Sequence, residues 1–499
     1  MSRRLPIVYG TFLLTAVNLL LRLFSTSFQV YLSTAIGAAG IGLLHLIISI
    51  TGLAVTIGVA GIRTTTMYLT AEQLGRKENS TIHHLLCGCF TYSILCSGTV
   101  ALSLYSCSGY IAQNWIGDMD ALPALRTFAA FVPIICLCGL MSGYFIAANK
   151  IATLAAIEVA EQLSCMTITV FLLMRIPAGD TAKACQAVVF GSCCGSVLTL
   201  GGLLWLHRRS MPRQLDRTAV RKRIVTTAAP LALADDLKAG ISSLEHLMVP
   251  KRLALYPFVS DPLATFGIVA GMVFPVMMLP AAILFSLVEI LIPELARCNA
   301  VGSWERIRYL MHRNLRVTVL YGLVCGGCLF LISDALCQWL YPSVDVARHL
   351  RMFSILVPML YCDIIVDGMT KGLGQQRYCV RYNIISNALD IILLFFLLPA
   401  YGMNGYFVSF LITHALNFAL SYRRLLKIGE VRANFYYPSF ALSACLIAVW
   451  GANAFHGVFR RIAAFSGLFF CLCYFFGVIS PEDLIWLKNL LKPKERLPS

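Results

Sequence analysis

Three basic residues interrupt otherwise apolar runs of the sequence: Arg22, Arg63 and Lys238. A charge inside a hydrocarbon-length run is expensive, so each is a candidate for holding an anion or for an internal ion pair. Arg22 lies about 17 residues into its run, roughly 25 Å along a helix rising 1.5 Å per residue. It is expected to face protein or a water-filled cavity. Arg63 lies near one end of its run, where snorkelling toward the surface competes. The stretch 223–250 is the most polar, with Asp235, Asp236 and Lys238 near its middle and Glu245 and His246 beyond them. Asp235 and Lys238 are three residues apart and could neutralise each other along one helix face. A helix this polar still cannot face lipid all round, so it is expected to line a cavity. Arg22, Arg63, Lys238 and Glu245 are the cavity candidates. Carboxylates recur as Glu158 and Glu161, one helical turn apart, and as Asp363 and Asp367 in a four-residue stripe with Lys371, followed by Asp390. With Asp235 and Asp236, these can bind a coupling Na⁺ or H⁺, or lock helices together.

The elements that carry these residues follow from composition. Of 499 residues, 58% are hydrophobic and only 13% charged, and mean hydropathy is +0.76. Soluble domains are nearer 45–50% apolar and about 25% charged, and disorder needs low hydrophobicity. Apolar runs of about 20 residues, long enough to span a bilayer as helices, recur from end to end. About fourteen spans are expected, making an all-α polytopic membrane protein. The first run, about 27 residues, is too long for a signal-peptide core and reads as an uncleaved span. The net charge of +16 would suggest nucleic acid in a soluble chain, but here it reports topology. With the N-terminus cytoplasmic, about 28 of the Lys and Arg fall on inward connectors and about 9 on outward ones. Both termini are then cytoplasmic.

Other chemistry finds no footing. The 19 cysteines fall largely within spans, where they read as small packing residues. Cys325 and Cys328 have the spacing of a redox or zinc pair but no companions, so no metal site is expected. There is no nucleotide-binding P-loop and no zinc-protease motif, and the connectors, at most about 15–20 residues, are too short to fold alone. The chain is not expected to be an enzyme, to hold a cofactor or to use ATP.

Internal repetition points to mechanism. Leu125, Arg126, Phe128, Val132, Pro133 and Gly143 reappear as Leu350, Arg351, Phe353, Val357, Pro358 and Gly368, all at an offset of 225 residues. A second echo links Glu72 and Arg76 with Glu294 and Arg297. The fourth and tenth spans cross in the same sense, which implies two parallel six-helix lobes. The expected organisation is 1–206 as the first lobe, 207–222 as a basic cytoplasmic linker, 223–430 as the second lobe, and 431–499 as two aromatic-rich spans and a tail. Those last spans are expected to pack on one lobe, or to form a groove for a lipid tail.

Six plus six plus two spans resemble the multidrug/oligosaccharidyl-lipid/polysaccharide exporter superfamily. Within it the chain is most similar to the stage V sporulation protein B group of polysaccharide-biosynthesis flippases. The carrying segments include Gly37 to Leu43, Ser142 to Phe145, Glu161 with Gln162, Ser243 to Glu245, Val249 to Leu253, and Leu279 with Pro280. The resemblance implies a flippase for an undecaprenyl-type lipid carrying a sugar or peptidoglycan precursor, in a bacterial cytoplasmic membrane, with cell-wall synthesis machinery as a candidate partner and a monomer sufficient. Related MurJ-type flippases hold the anionic pyrophosphate with cavity arginines, and Arg22 matches the first-span arginine of that pattern. The eighth span lacks a buried basic residue, Arg63 lies deeper toward the cytoplasm, and Glu245 stands where the group tends to have Asp. The alternatives are a cation-coupled multidrug exporter of the same fold and a non-transporting membrane scaffold.

Overall fold

The computed structural model describes residues 4–75, 79–148, 150–177, 179–208, 218–341, 343–430 and 436–479. Most of the expected linker, 209–217, and the tail from 480 lie outside the described residues. The α-helices are α1 (Arg4–Val59), α2 (Ile62–Gly75), α3 (Asn79–Tyr110), α4 (Leu122–Ala147), α5 (Ile151–Leu173), α6 (Thr181–Arg208), α7 (Thr218–Leu253), α8 (Pro262–Gly267), α9 (Phe274–Met278) and α10 (Ala282–Val301). They continue as α11 (Trp304–Leu340), α12 (Val344–Ser354), α13 (Val357–Gly372), α14 (Gln376–Tyr401), α15 (Met403–Gly429), α16 (Tyr436–Ala452) and α17 (Val458–Phe475). No strand occurs among the described residues. An apolar chain in lipid must satisfy its backbone polar groups internally, and helices do so within each segment.

Among the described residues, eight helical stretches are long and apolar enough to cross a membrane, or ten if two bent pairs each count as one span. One stretch, Leu19–Thr70, is 52 residues long and covers two of the expected spans. They run together through Gly37, whose φ of 71° and ψ of 176° depart from helical geometry. Three further expected spans fall on α7, α15 and the 17-residue α16. The charged side chains of α7 and the polar side chains of α15 dilute their hydropathy.

The chain divides into two compact units, one of Met1–Leu279 with Asn387–Ser409 and the other of Pro280–Ser386 with Phe410–Ser499. In the first, Ile62 of α2, Leu85 and Cys89 of α3, Leu140 and Phe145 of α4 and Leu203 of α6 form a continuous core. A Cβ on Gly143 would come within 2.4 Å of the Arg63 carbonyl oxygen, so glycine there lets α4 close on α2. In the second unit, Phe465 and Phe469 of α17 pack with Ala444 and Ala448 of α16 and Leu323 of α11. The last two helices therefore pack on α11, as one sequence reading expected. Lipid is as apolar as these side chains, so their fit is held by van der Waals contact rather than by exclusion of water.

Candidate functional site: a mixed-charge cavity

A cavity of about 650 Å³ opens in the first unit and gathers Arg63, Glu158, Glu161, Asp235 and Lys238. Four of the elements around it come from distant parts of the chain: α2, α5, α6 and α7. Arg63 is aimed by the break between α1 and α2, where Ala60 (φ 46°) and Gly61 (φ 69°) both adopt left-handed backbone. Left-handed geometry costs a non-glycine residue of order 1 kcal/mol, and neighbouring contacts hold it. The Tyr92 hydroxyl donates to the Ala60 carbonyl at 3.4 Å, and the Thr65 amide donates to the Gly61 carbonyl at 3.1 Å, restarting the helix.

Opposite charges face this cavity without pairing. No ion pair of 4.0 Å or less joins any two of the five among the described residues. The Asp235–Lys238 neutralisation allowed by their spacing is therefore not formed. Glu158 lies within electrostatic reach of Arg63 and Glu161, and Glu161 accepts the Ser196 hydroxyl at 3.2 Å. Behind the two glutamates is an alcove of about 280 Å³, lined also by Gln162, Ser192 and Ser196. Thr199 of α6 lines the main cavity, is 4% exposed, and its hydroxyl has no hydrogen-bond partner.

The other sequence candidates lie elsewhere. Arg22 is half-buried on α1, and its carbonyl accepts the Thr26 hydroxyl at 2.9 Å. Its neighbour Leu21 lines the alcove, but Arg22 lines neither space. Asp236 is half-buried, with Oδ1 unpartnered. Glu245 meets Asp390, their carboxyl groups within hydrogen-bonding reach, and buried Asp390 accepts the Ser409 hydroxyl at 2.6 Å. In the second unit the α13 stripe divides. Asp363 accepts the Asn417 amide through both oxygens, at 2.9 and 3.0 Å, and lies 3.4 Å from His414 Nδ1. Asp367 pairs with Lys371 at 2.5 Å. The cysteines are free thiols.

Sequence reasoning missed the neutral polar groups of the site, Gln162, Ser192, Ser196 and Thr199. It also missed a polar cluster in the first unit, where Ser49 Oγ meets His246 Nδ1 at 2.8 Å and the Gln29 amide donates to the Gly271 carbonyl at 3.1 Å. A single serine or threonine in an apolar helix barely changes its hydropathy, so composition gave no signal for these.

Comparison with known proteins extends the geometry. The polysaccharide biosynthesis protein family model matches residues 7–233. The chain is 21% identical to stage V sporulation protein B of Bacillus subtilis (strain 168) over 502 residues, covering 95% of this chain and 96% of that protein. Sporulation protein YkvU of the same organism is 21% identical over 302 residues, covering 55% of this chain and 65% of that protein. A solved structure of lipid II flippase MurJ in an inward closed conformation matches 96% of this chain and all of its own, with TM-score 0.72 at 12% identity. This chain shares that fold. An inward-facing multidrug resistance MATE family transporter of the MOP superfamily also matches, with TM-score 0.63 at 12% identity over 84% of this chain and all of its own. The resemblance read from the sequence is thus borne out, and the chain is a multi-pass membrane protein. Within the MOP fold, the cavity of the first unit draws on α2, α5 and α7 for its charge.

Proposed function

We propose that this protein is a flippase that moves a lipid-linked oligosaccharide or peptidoglycan precursor from the inner to the outer leaflet, acting in cell-wall or spore-cortex synthesis. The observation that carries the reading is the cavity lined by Arg63 of α2 and Lys238 of α7. A pyrophosphate with attached sugars crosses hydrocarbon slowly because its charges and hydroxyls lose hydration. A polar cavity substitutes for that hydration, and alternating exposure of the cavity carries the headgroup across while the prenyl tail stays in lipid. Similarity to stage V sporulation protein B along nearly the whole chain, and to the lipid II flippase over more of the chain than to the MATE transporter, supports this reading over drug export.

In this scheme the chain crosses a bacterial cytoplasmic membrane fourteen times, with both termini inside, as two six-helix lobes and a terminal pair. An undecaprenyl-type carrier is the substrate lipid. Arg63 and Lys238 hold the phosphates, and Arg22 serves the approach from the alcove side. Coupling to Na⁺ or H⁺ falls to carboxyl groups away from the cavity, the Glu245–Asp390 pair and Asp363 with His414 and Asn417, since adjacent carboxyls share a proton or a cation more readily than they both ionise. The test is depletion of the protein followed by mass spectrometry of lipid-linked intermediates. An undecaprenyl-linked precursor should accumulate on the inner leaflet. An unchanged precursor pool together with lost efflux of cationic dyes would replace flipping with drug export. A stable Arg22→Ala variant that transports fully would remove that residue from the substrate path.

A further inference from the structure

The cavity is not simply cationic, and none of its carboxylates forms an ion pair with its two cations. Glu158 and Glu161 line it together with Arg63, and Glu158 lies within electrostatic reach of Arg63 without forming an ion pair. The two glutamates also form the wall of the alcove that Gln162, Ser192 and Ser196 line. Charges within spans are costly to hold unpaired. A ligand that neutralised only the basic side would leave Glu158, Glu161 and Asp235 uncompensated.

We infer that the transported headgroup is zwitterionic, carrying a primary ammonium on a sugar unit that Glu158 and Glu161 bind in the alcove while its phosphate meets Arg63 and Lys238. This rests on the flippase reading. The ammonium offers three donors and no acceptor, which suits two carboxylates one turn apart. Gln162, Ser192 and Ser196 supply the donors and acceptors that sugar hydroxyls need. The Thr199 hydroxyl, buried and unpartnered on a residue that lines the main cavity, offers one more polar group to the ligand. An N-acetylated sugar at that place would present an amide and a methyl group to the two carboxylates and leave both without a counter-charge.

The experiment uses the full-length protein in lipid nanodiscs and two short-prenyl pyrophosphate disaccharides, identical except that one sugar carries a free amine or its N-acetyl form. The amine should bind at least about tenfold tighter, the value of one charge-assisted hydrogen bond. Combining Glu158→Gln with Glu161→Gln should erase the preference, so that the amine and acetyl ligands bind alike. Arg63→Gln should weaken both ligands alike and preserve their ratio. Thermal unfolding of each variant confirms that it is folded, and Gln at both positions keeps the side-chain volume. Equal binding of the two ligands by the unaltered protein overturns the inference and leaves the flippase reading standing. Binding of neither, together with no precursor accumulation on depletion, overturns both.

Discussion

Arg126 and Arg351 make the same contact 225 residues apart. Arg126 Nε donates to the Ser108 hydroxyl at 3.3 Å, and Arg351 Nε donates to the Ser333 hydroxyl at 3.2 Å. The offset also relates the starts of α3 and α11, at Asn79 and Trp304, the starts of α5 and α14, at Ile151 and Gln376, and the ends of α4 and α13, at Ala147 and Gly372. Gly143 lets α4 approach Arg63, and Gly368 lets α13 approach Val288. Those two partners are again 225 apart. The frame is duplicated, and the chemistry is not. Where the first copy has Arg63, Glu158 and Glu161, the second has Val288, Asn383 and Ser386. Where the second has Asp363, Asp367 and Asp390, the first has Cys138, Ser142 and Cys165. The first copy supplies Arg63, Glu158 and Glu161 to the mixed-charge cavity, and the second supplies Asp235 and Lys238 and carries Asp363, Asp367 and Asp390 outside it.

The largest expected difference between the copies is in transport. Arg63→Ala should lower precursor flipping about 100-fold, equivalent to roughly 3 kcal/mol of lost headgroup binding. Val288→Ala, at the matched place, should stay within about twofold. Equal losses would erase the division of labour. Next come the two glycines, read by thermal unfolding of the purified protein. Gly143→Ala should cost roughly 3 kcal/mol, because the new Cβ meets backbone at 2.4 Å, and Gly368→Ala roughly 1 kcal/mol, because it meets a valine methyl at 2.6 Å. The reverse order would mean that the α4 contact yields more easily than its geometry implies. Ser108→Ala and Ser333→Ala should each cost about 1 kcal/mol and should match each other, so a clear inequality would show that the frame is not shared there. The smallest effect is expected at Asp334, which pairs with Arg351, while the matched position of the first copy is Gly109. Their side chains are 61% and 44% exposed, so Asp334→Asn should cost under about 0.5 kcal/mol.

Span length, the repeat and the list of charges within the apolar runs were all legible in the sequence, because each is a property of one helix or of a fixed offset. The grouping of those charges was not. Glu158 and Glu161 read as coupling candidates when taken with the other carboxylates, yet they share a cavity with Arg63 and Lys238 because α5, α2 and α7 pack together. Asp363 lies on a stripe with Asp367 along one helix, but its partners His414 and Asn417 come from α15. Glu245 meets Asp390 rather than the cavity cations for the same reason. Periodicity gives the face of a helix but not the helix that covers it. The second copy's bend of 55° between α12 and α13 was equally hidden, since Pro133 sits inside unbroken α4 and Pro358 opens α13 at the matched position.

Gly37 joins two spans through one residue. A Cβ built there meets nothing within 4 Å, so volume does not exclude a side chain. Handedness does. At φ 71° and ψ 176° an L-residue is strained by about 1–3 kcal/mol, whereas a D-residue would find those torsions in its own extended region. The joint therefore has the stereochemistry of the opposite enantiomer and no length of loop to take up slack. Rotation of either helix must be taken up by the few torsions at residue 37 or passed to the other helix, as with two rods meeting at a pin.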